Sequence, residues 1–245
     1  MNKICTFTQT YSNNRKELFD FHNLDENDIK FRNLFETNFY SFHNCSDDYV
    51  NEILSSKYFK SIQNLEVLRF NNISYTETFR QFLNLINNKF EYFVFLQDDC
   101  FTLSSEFELF ENIFNYVMEN NYKMLNLERN FDLLCRHFSD EIFQKNDLCV
   151  YNSNSDHFRD RGLYAFDDGP YVARVDYVLE KIYDETYFSI GEIWPAENYL
   201  NDKVNKSSIQ RLTTNNPIYR RYNILGRNNW NRTEEIKLLN TKFGI

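Results

Sequence analysis

The chain has 245 residues and a formal net charge of −9 at pH 7. This length fits one large domain. The negative charge disfavours a protein that binds nucleic acid, which needs clustered Lys and Arg. The chain shows no apolar run long enough to span a membrane, no secretory leader, and five cysteines without a CxxC pair. We therefore expect a soluble, cytoplasmic protein of a reducing compartment. Its bias towards Phe, Tyr and Asn is typical of an AT-rich genome, such as that of a low-GC microbe or a large virus. The expected compartment is then the cytoplasm of such a microbe or of a virus-infected host cell.

Short apolar runs alternate with amphipathic stretches over the first hundred residues. Strands are predicted at 4–8, 39–43, 65–70 and 92–96. Helices are predicted after the polar turn at 11–14, which can cap the first of them, and after Ser46, which caps the second. A third is predicted from Ser74 to Asn88, where apolar residues recur at helical spacing. This alternation predicts an α/β fold with a mainly parallel sheet flanked by helices, because parallel neighbours need crossover connections.

The second half of the chain is less regular. A helix at 106–118 and a strand at 124–127 precede a weakly patterned, polar stretch at 129–161. The elements predicted after it are a strand at 163–166, a turn at 167–170, helices at 172–182 and 195–201, and an extended tail from residue 207. From Lys203 to Ile245 the chain carries nine basic and two acidic residues, which form either a solvated face or an anion-binding one.

Two carboxylates, Asp98 and Asp99, directly follow the most hydrophobic predicted strand. In open α/β sheets, ligands bind outside the carboxyl ends of the strands. Adjacent acids at such a place repel each other unless a cation or a helix N-terminus compensates. Mg²⁺ or Mn²⁺ suits carboxylate oxygens and keeps open positions for phosphate. The pair therefore predicts a metal and diphosphate site, and the alternative is a helix cap or a solvated pair.

The first predicted strand leads into Thr8-Gln9-Thr10-Tyr11-Ser12, which contains neither GxGxxG nor GxxxxGK[ST]. This absence disfavours a dinucleotide-binding Rossmann unit and a P-loop. A nucleotide bound here would have its diphosphate held by metal and side chains instead of a glycine loop.

An apolar strand that ends in Gln97-Asp98-Asp99, between a parallel-sheet half and an irregular half, resembles the GT-A glycosyltransferases, whose acidic signature is called DXD. The resemblance implies a GT-A-like, Rossmann-like fold and a nucleotide-sugar donor. Gln97 replaces the first acid of the pattern, so the resemblance places Mn²⁺ or Mg²⁺ principally on Asp99 and leaves Asp98 to contact the ribose or a metal-bound water. The residues it assigns to the nucleobase pocket are Thr8, Gln9, Thr10 and Arg15.

Two shorter segments extend the resemblance into the second half. Residues 167–174 are similar to the family's acceptor-side segment, and residues 191–198 to the stretch that supplies the catalytic acid of inverting members. Inverting transfer needs a base at the acceptor hydroxyl and a clamp on the leaving diphosphate, for which arginine forks are suited. Glu197 is preferred as the base, because Pro195 would fix the start of its helix. The full set of candidates is Glu197, Glu192 and Asp168 for the base, and Arg220, Arg221 and Arg227 for the clamp.

We expect a single GT-A-like domain, with a nucleotide-sugar-binding half at 1–128 and an acceptor-side half with a basic tail at 129–245. The expected activity is metal-assisted transfer of a sugar from a nucleoside-diphosphate sugar to a hydroxyl of a glycan, a polysaccharide or a glycoprotein. Two alternatives stay open. One is a sugar nucleotidyltransferase, which usually carries a Gly-rich loop after its first strand, and the other is a catalytically silent domain that binds a glycan or a partner protein. The histidines lack metal-ligand spacing, although His137 or His157 could supply one further ligand.

Overall fold

The computed structural model describes residues 3–11, 15–103, 107–127, 143–145, 148–152, 169–206, 210–214, 218–222 and 229–245. These residues form a mixed α/β structure. The strands are β1 Ile4–Tyr11, β2 Thr37–His43, β3 Leu65–Phe70, β4 Tyr92–Gln97, β5 Cys100–Thr102, β6 Met124–Asn126, β7 Phe143–Lys145, β8 Leu148–Asn152, β9 Tyr171–Arg174, β10 Gln210–Thr214 and β11 Tyr219–Arg221. The helices are α1 Lys16–His22, α2 Glu26–Arg32, α3 Asp47–Leu54, α4 Lys57–Ser61, α5 Tyr75–Ile86, α6 Phe107–Glu119, α7 Val175–Lys181, α8 Glu185–Ile190, α9 Ile193–Lys206 and α10 Asn229–Phe243.

One large sheet has the strand order β3-β2-β1-β4-β9-β6-β10-β8-β7, and β5 pairs separately with β11. β1 pairs in parallel with both β2 and β4, as the helical crossovers between them require. β9 lies antiparallel between β4 and β6, and β8 is antiparallel to β10; the other strands of this sheet share one direction. The predicted α/β class with a mostly parallel sheet is confirmed, and strands from both halves of the chain contribute to the sheet.

Helices cover both faces of the sheet, which explains why β4 is apolar along its length. Phe7 and Phe95 pack on one face, against α5 and the helices α7, α8 and α9. Leu96 faces the other side, together with Phe31 of α2 and apolar residues of α6. Phe7 stacks on Phe82 of α5 with ring centroids 3.8 Å apart. Burial of one such side chain stabilises the fold by about 1.5–3 kcal/mol. Because β4 packs on both of its faces, the strand that precedes the acid pair is held from both sides.

Polar residues set the helix starts and the turns. The Oγ of Ser46 accepts from the Tyr49 N–H, so the N-cap predicted there is confirmed. The Oγ of Ser74 accepts from the Glu77 N–H at 3.2 Å and caps α5 in the same way. Several turns use asparagine with a left-handed backbone, a conformation that Asn tolerates better than most residues other than glycine. These residues are Asn44, Asn64, Asn72, Asn88 and Asn121.

Some local predictions are wrong. Residues 172–174 belong to strand β9 and not to a helix, which begins only at Val175. The stretch predicted as irregular, 129–161, contains β7 and β8, and the predicted tail contains helix α10. α2 lies where no element was predicted. The predicted helix at 195–201 is part of the longer α9, and the strand predicted at 163–166 lies outside the described residues. Pairing within the sheet and packing in the core override local pattern at these places.

None of the helices in the described ranges combines the length and apolarity that crossing a membrane requires. The thiols of Cys5, Cys45 and Cys100 are buried and are not joined in disulfides. Burial raises the pKa of the Cys5 thiol, so this cysteine behaves as a core residue.

Asp184 joins the end of α7 to α8 and α9. Its carboxylate accepts from the Tyr187 backbone N–H at 2.9 Å, from the Tyr199 hydroxyl at 2.7 Å and from the Lys203 Nζ at 2.6 Å. Burial alone would raise the pKa of Asp184, but these donors, led by Lys203, lower it to about 2.

Asp184 is therefore expected to make stability depend on pH in the acid range. A carboxyl whose pKa is lowered by folding stabilises the fold above its unfolded pKa, about 4, and loses that effect as the pH falls towards 2. We expect Asp184→Asn to lower the unfolding temperature at neutral pH, and the gap to wild type to close below about pH 4. Calorimetric melts across this range measure the gap, with Asp202→Asn, at an exposed position of α9, as control. A gap that stays constant with pH would contradict this account of Asp184.

Candidate functional site

The turn between β4 and β5 holds the acid pair at the carboxyl end of the central strands. Asp98 is fully buried and Asp99 is 9% exposed. Thr10 Oγ1 donates to one carboxylate oxygen of Asp98, and Arg15 Nη1 donates to the other. The backbone N–H of Asp98 donates to the Gln9 carbonyl at 3.3 Å. Asp98 is thus tied to the end of β1 and to the residue that precedes α1.

Arg15 lies within the electrostatic reach of both acids. Burial alone would lower the pKa of the Arg15 guanidinium, but the charges of Asp98 and then Asp99 raise it. Its side chain is 19% exposed. One cation, Arg15, therefore interacts with both carboxylates.

A row of polar side chains lies at the same strand ends, on the sheet face opposite to Thr10 and Asp98. Gln9 of β1 is in register with Ser41 of β2 and with Gln97 of β4, so the three side chains point to one face, one step beyond the aromatic row that contains Phe7 and Phe95. Gln9 and Ser41 are buried, and Gln9 Nε2 and Ser41 Oγ have no hydrogen-bond partner among the described residues. Buried polar atoms without a partner indicate a place for water or a ligand.

The basic strand β11 lies beside the acid turn. Its residues 220 and 221 pair with Phe101 and Cys100 of β5, and the backbone N–H of Tyr222 donates to the Asp99 carbonyl at 2.8 Å. Arg220 contacts Glu235 at 3.3 Å and lies over the Tyr222 ring, 4.7 Å from its centroid. The backbone at position 221 is therefore next to the turn, while the Arg221 side chain lies outside the described residues.

A cleft on the α5 face ends near this edge of the sheet. It is lined chiefly by aromatic rings, with Glu197 of α9 as a charged residue in its wall. Phe95, two residues before Gln97, also lines it. The hydroxyls of Tyr171 and Tyr183, both in the wall, are 2.7 Å apart. Aromatic rings with hydroxyl groups and one carboxylate are suited to a polyhydroxylated ligand.

Gly191 turns the chain from α8 into α9, and so sets where Glu197 lies. Its φ is +81°, and its carbonyl accepts from the Tyr75 N–H at 3.2 Å while its own N–H donates to Thr76 Oγ1 at 3.2 Å. A side chain is strained at this φ. The start of α9 is thereby fastened to the start of α5, across the cleft.

The structure brings together most of the predicted site residues but not all of them. Residues 8–10, Arg15 and residues 97–99 meet at one edge of the sheet, with β11 beside them. Thr8 is the exception in this group, because it lies one step deeper on the face of Thr10 and Asp98, where its hydroxyl accepts from Arg32 Nη1 at 2.7 Å. Glu192 precedes α9 and is exposed, outside the cleft wall. Asp168, Arg227, His137 and His157 lie outside the described residues.

A buried polar cluster that was not predicted from the sequence lies directly beneath this edge. His22 Nε2 lies 2.7 Å from the Asp98 carbonyl, and because a carbonyl only accepts, this nitrogen carries the proton. Burial is the main cause that lowers the pKa of His22, so the ring is neutral. Asp25, Asp28 and Arg32 of the α2 region complete the cluster. An Asp and an Arg four residues apart were the only signal in the sequence.

The ligand set available for a metal is small. No group of three or more His, Cys, Asp or Glu residues that could hold a metal ion occurs in the part of the chain that the structure describes. Asp98 already accepts through both oxygens, so Asp99 is the acid whose carboxylate chemistry fits a hard cation such as Mn²⁺ or Mg²⁺. As far as the described residues go, a cation here would take most of its remaining ligands from a bound diphosphate and from water.

Comparison with known proteins identifies the fold. No protein-family model and no curated protein sequence matches the chain. Residues 1–349 of S. aureus TarS, solved in complex with UDP, share 13% identity at a TM-score of 0.56, over 98% of this chain and 65% of that one. The chain therefore spans just under two thirds of the TarS fragment that it matches. Two further structures are covered almost completely.

These are 4-diphosphocytidyl-2C-methyl-D-erythritol synthase from Anaerococcus prevotii, with 10% identity and a TM-score of 0.54, and apo UDP-glucose pyrophosphorylase, with 11% identity and a TM-score of 0.52. The match covers 100% of this chain and 99% of each of these two. The predicted GT-A-like, Rossmann-like fold is confirmed.

Proposed function

We propose that the chain is a glycosyltransferase that moves a sugar from a nucleoside-diphosphate sugar to a hydroxyl of an acceptor glycan, polysaccharide or glycoprotein. The observation that carries the proposal is the pairing, at one sheet edge, of the acid turn with Gln9 Nε2 and Ser41 Oγ, two buried polar groups that have no hydrogen-bond partner among the described residues. A nucleobase presents carbonyl and N–H groups that match an amide and a hydroxyl. Gln9 and Ser41 would bind the base, and Gln97 lies in register beside them.

The diphosphate would lie at the acid turn. Asp99 would hold Mn²⁺ or Mg²⁺ there, and such a cation, when bound, neutralises charge on the diphosphate leaving group. Asp98 would act as the anchor that keeps Arg15 and the turn in place, since Thr10 and Arg15 occupy its two oxygens. Arg220 and Arg221 on β11 would supply further positive charge to the phosphate oxygens.

The transferred sugar and the acceptor hydroxyl would meet in the aromatic cleft. For transfer with inversion, Glu197 would take the proton of the acceptor hydroxyl as its oxygen bonds to the anomeric carbon and the bond to the diphosphate oxygen breaks. Glu197 is preferred to Glu192, because it lines the cleft and Glu192 is exposed. Tyr75, the partly exposed tyrosine of the wall, would stack on the sugar.

A sugar nucleotidyltransferase is the second candidate, favoured by the two synthase and pyrophosphorylase structures that match over almost their whole length. These enzymes usually hold their phosphates with a glycine-rich loop after the first strand. The first glycine of this chain is Gly162, far beyond β1. The transferase is therefore the better fit to the residues present.

Nucleotide binding tests the proposal. We expect one member of a panel of UDP, GDP, CMP and dTDP to bind with Mn²⁺, and Asp99→Ala to weaken that binding about tenfold or more, which is about 1.4 kcal/mol. Calorimetric titration with and without Mn²⁺ gives both quantities. Asp202→Ala, at an exposed position of α9, is the control and should bind as wild type does. Failure of every nucleotide to bind wild type would move the proposal to a silent binding domain.

A further inference from the structure

Helix α2 turns a polar face towards the interior. Asp28 is fully buried, and Asp25 and Arg32 are only 2% and 1% exposed. Charged groups are rarely buried to this degree unless each has a partner. The partners of these three side chains come from different parts of the chain, and several of those parts carry candidate site residues.

Asp28 is the centre of this cluster. One of its oxygens accepts from Arg32 Nε at 2.7 Å and from the Tyr58 hydroxyl of α4 at 2.5 Å, and the other accepts from the Tyr219 hydroxyl of β11 at 2.7 Å. Arg32 also donates to Thr8 of β1 at 2.7 Å. Burial alone would raise the pKa of Asp28, but the charge of Arg32 and the hydrogen bonds that Asp28 accepts together outweigh it and lower the pKa. The ionised Asp28 carboxylate therefore accepts hydrogen bonds from the hydroxyls of both Tyr58 and Tyr219.

Two neighbours of Asp28 hold the acid turn and the strand after it. His22 Nε2 donates to the Asp98 carbonyl at 2.7 Å. The Asp25 carboxylate accepts from the Thr102 hydroxyl at 2.7 Å and from the Thr102 N–H at 3.1 Å. The turn and β5 are therefore fixed from beneath by side chains that do not reach the ligand edge.

The two tyrosines on Asp28 differ in what they anchor. Tyr58 fastens α4, which carries none of the site residues. Tyr219 fastens β11, whose next residues are Arg220 and Arg221 and whose end bonds to the Asp99 carbonyl through Tyr222. Both rings are fully buried, and both hydroxyls donate to the same carboxylate. The chain thus contains a natural pair of matched anchors, of which one serves the site.

We propose that Tyr219 is a positioning residue, which through its bond to Asp28 sets the basic strand β11 against the Asp99 turn at the distance that diphosphate binding requires. The proposal rests on the proposed function. It assigns to the buried carboxylate a role in phosphate affinity, in addition to its role in packing. The nucleobase end of the site, at Gln9 and Ser41, is not held by this bond.

The test compares Tyr219→Phe with Tyr58→Phe, each of which removes one hydroxyl from Asp28 and keeps the ring. The probes are UDP and uridine with Mn²⁺, or GDP and guanosine where wild type prefers GDP. We expect the two variants to have similar unfolding temperatures. Tyr219→Phe should weaken the diphosphate about fivefold or more and leave the nucleoside unchanged, while Tyr58→Phe stays within about twofold of wild type for both probes.

Equal effects of the two variants on UDP, or an equal loss of UDP and uridine in Tyr219→Phe, would overturn the positioning role and leave the proposed function standing. Absence of any nucleotide binding by wild type would overturn both. Hydrogen exchange without ligand supplies an independent arm. The Tyr222 amide, which donates to the Asp99 carbonyl, should exchange faster in Tyr219→Phe than in Tyr58→Phe, and equal rates would refute the mechanical link itself.

Discussion

Replacing Asp28 with alanine is expected to lower the free energy of unfolding by about 3–5 kcal/mol, because it leaves Arg32 as a buried cation without its carboxylate. The hydroxyls of Tyr58 and Tyr219 lose their acceptor at the same time. Denaturant unfolding at neutral pH measures the loss. Asp48→Ala, at an exposed position in the first turn of α3, is the control and should stay within about 0.5 kcal/mol of wild type.

A second variant separates the unpaired charge from the loss of packing. Asp28→Leu combined with Arg32→Met removes both charges and keeps much of the volume, so it should be more stable than Asp28→Ala alone. A loss below about 1 kcal/mol for Asp28→Ala would mean that water or another group compensates Arg32. The description of Asp28 as the centre of the cluster would then be wrong.

Glu197→Gln is expected to reduce kcat of sugar transfer by about 10² to 10⁴, since it removes the proton acceptor and preserves shape. The donor KM should change little, because Glu197 is placed in the cleft and not at the acid turn. Initial rates with the acceptor at saturating donor provide both constants. Hydrolysis of the sugar nucleotide substitutes for transfer until an acceptor is in hand.

Glu192→Gln is the matched comparison for this prediction. Glu192 lies in the same segment but is exposed, and its replacement should leave kcat within about threefold of wild type, as for a surface substitution away from the chemistry. A large loss in Glu192→Gln together with a small one in Glu197→Gln would reverse the assignment of the base.

The sequence predicted most strands of the first half of the chain well, for a physical reason. β1, β2 and β3 are short strands that are each followed by a helix with apolar residues on one face, and β4 is a continuous apolar run, so hydrophobic periodicity suffices. The position of Asp98 and Asp99 at the end of a buried strand followed from the same pattern. Parallel pairing of β1 with β4 then placed residues 8–10 next to them.

Helix α2 could not be predicted in this way, because its buried face is polar. Asp28 and Arg32 point inward, and their partners are distant in the sequence. Tyr219, which donates to Asp28, is 191 positions away from it. β9 is a second case, where Tyr171–Arg174 becomes a strand only because β4 and β6 lie on either side of it. α10 was not predicted either, although Ile236, Leu239 and Phe243 recur at helical spacing and pack in one cluster.

The roles within the acid pair also needed the structure. From the sequence, Asp98 and Asp99 were equivalent apart from the DXD pattern. The hydrogen bonds from Thr10 and Arg15 mark Asp98 as an anchor. The choice between Glu197 and Glu192 likewise depends on which of them lines the cleft, a property of three-dimensional packing that residue spacing does not contain.

Product analysis tests the central proposal most directly. Purified protein is incubated with Mn²⁺ and a panel of nucleotide sugars, and the released nucleotide is identified, for wild type and for Asp99→Ala. Our account predicts release of a nucleoside diphosphate from one sugar nucleotide, dependent on Mn²⁺, and a loss of about 10² or more in Asp99→Ala. Release that is unchanged in Asp99→Ala would contradict it. So would formation of a sugar nucleotide and pyrophosphate in a parallel incubation with a nucleoside triphosphate and a sugar phosphate.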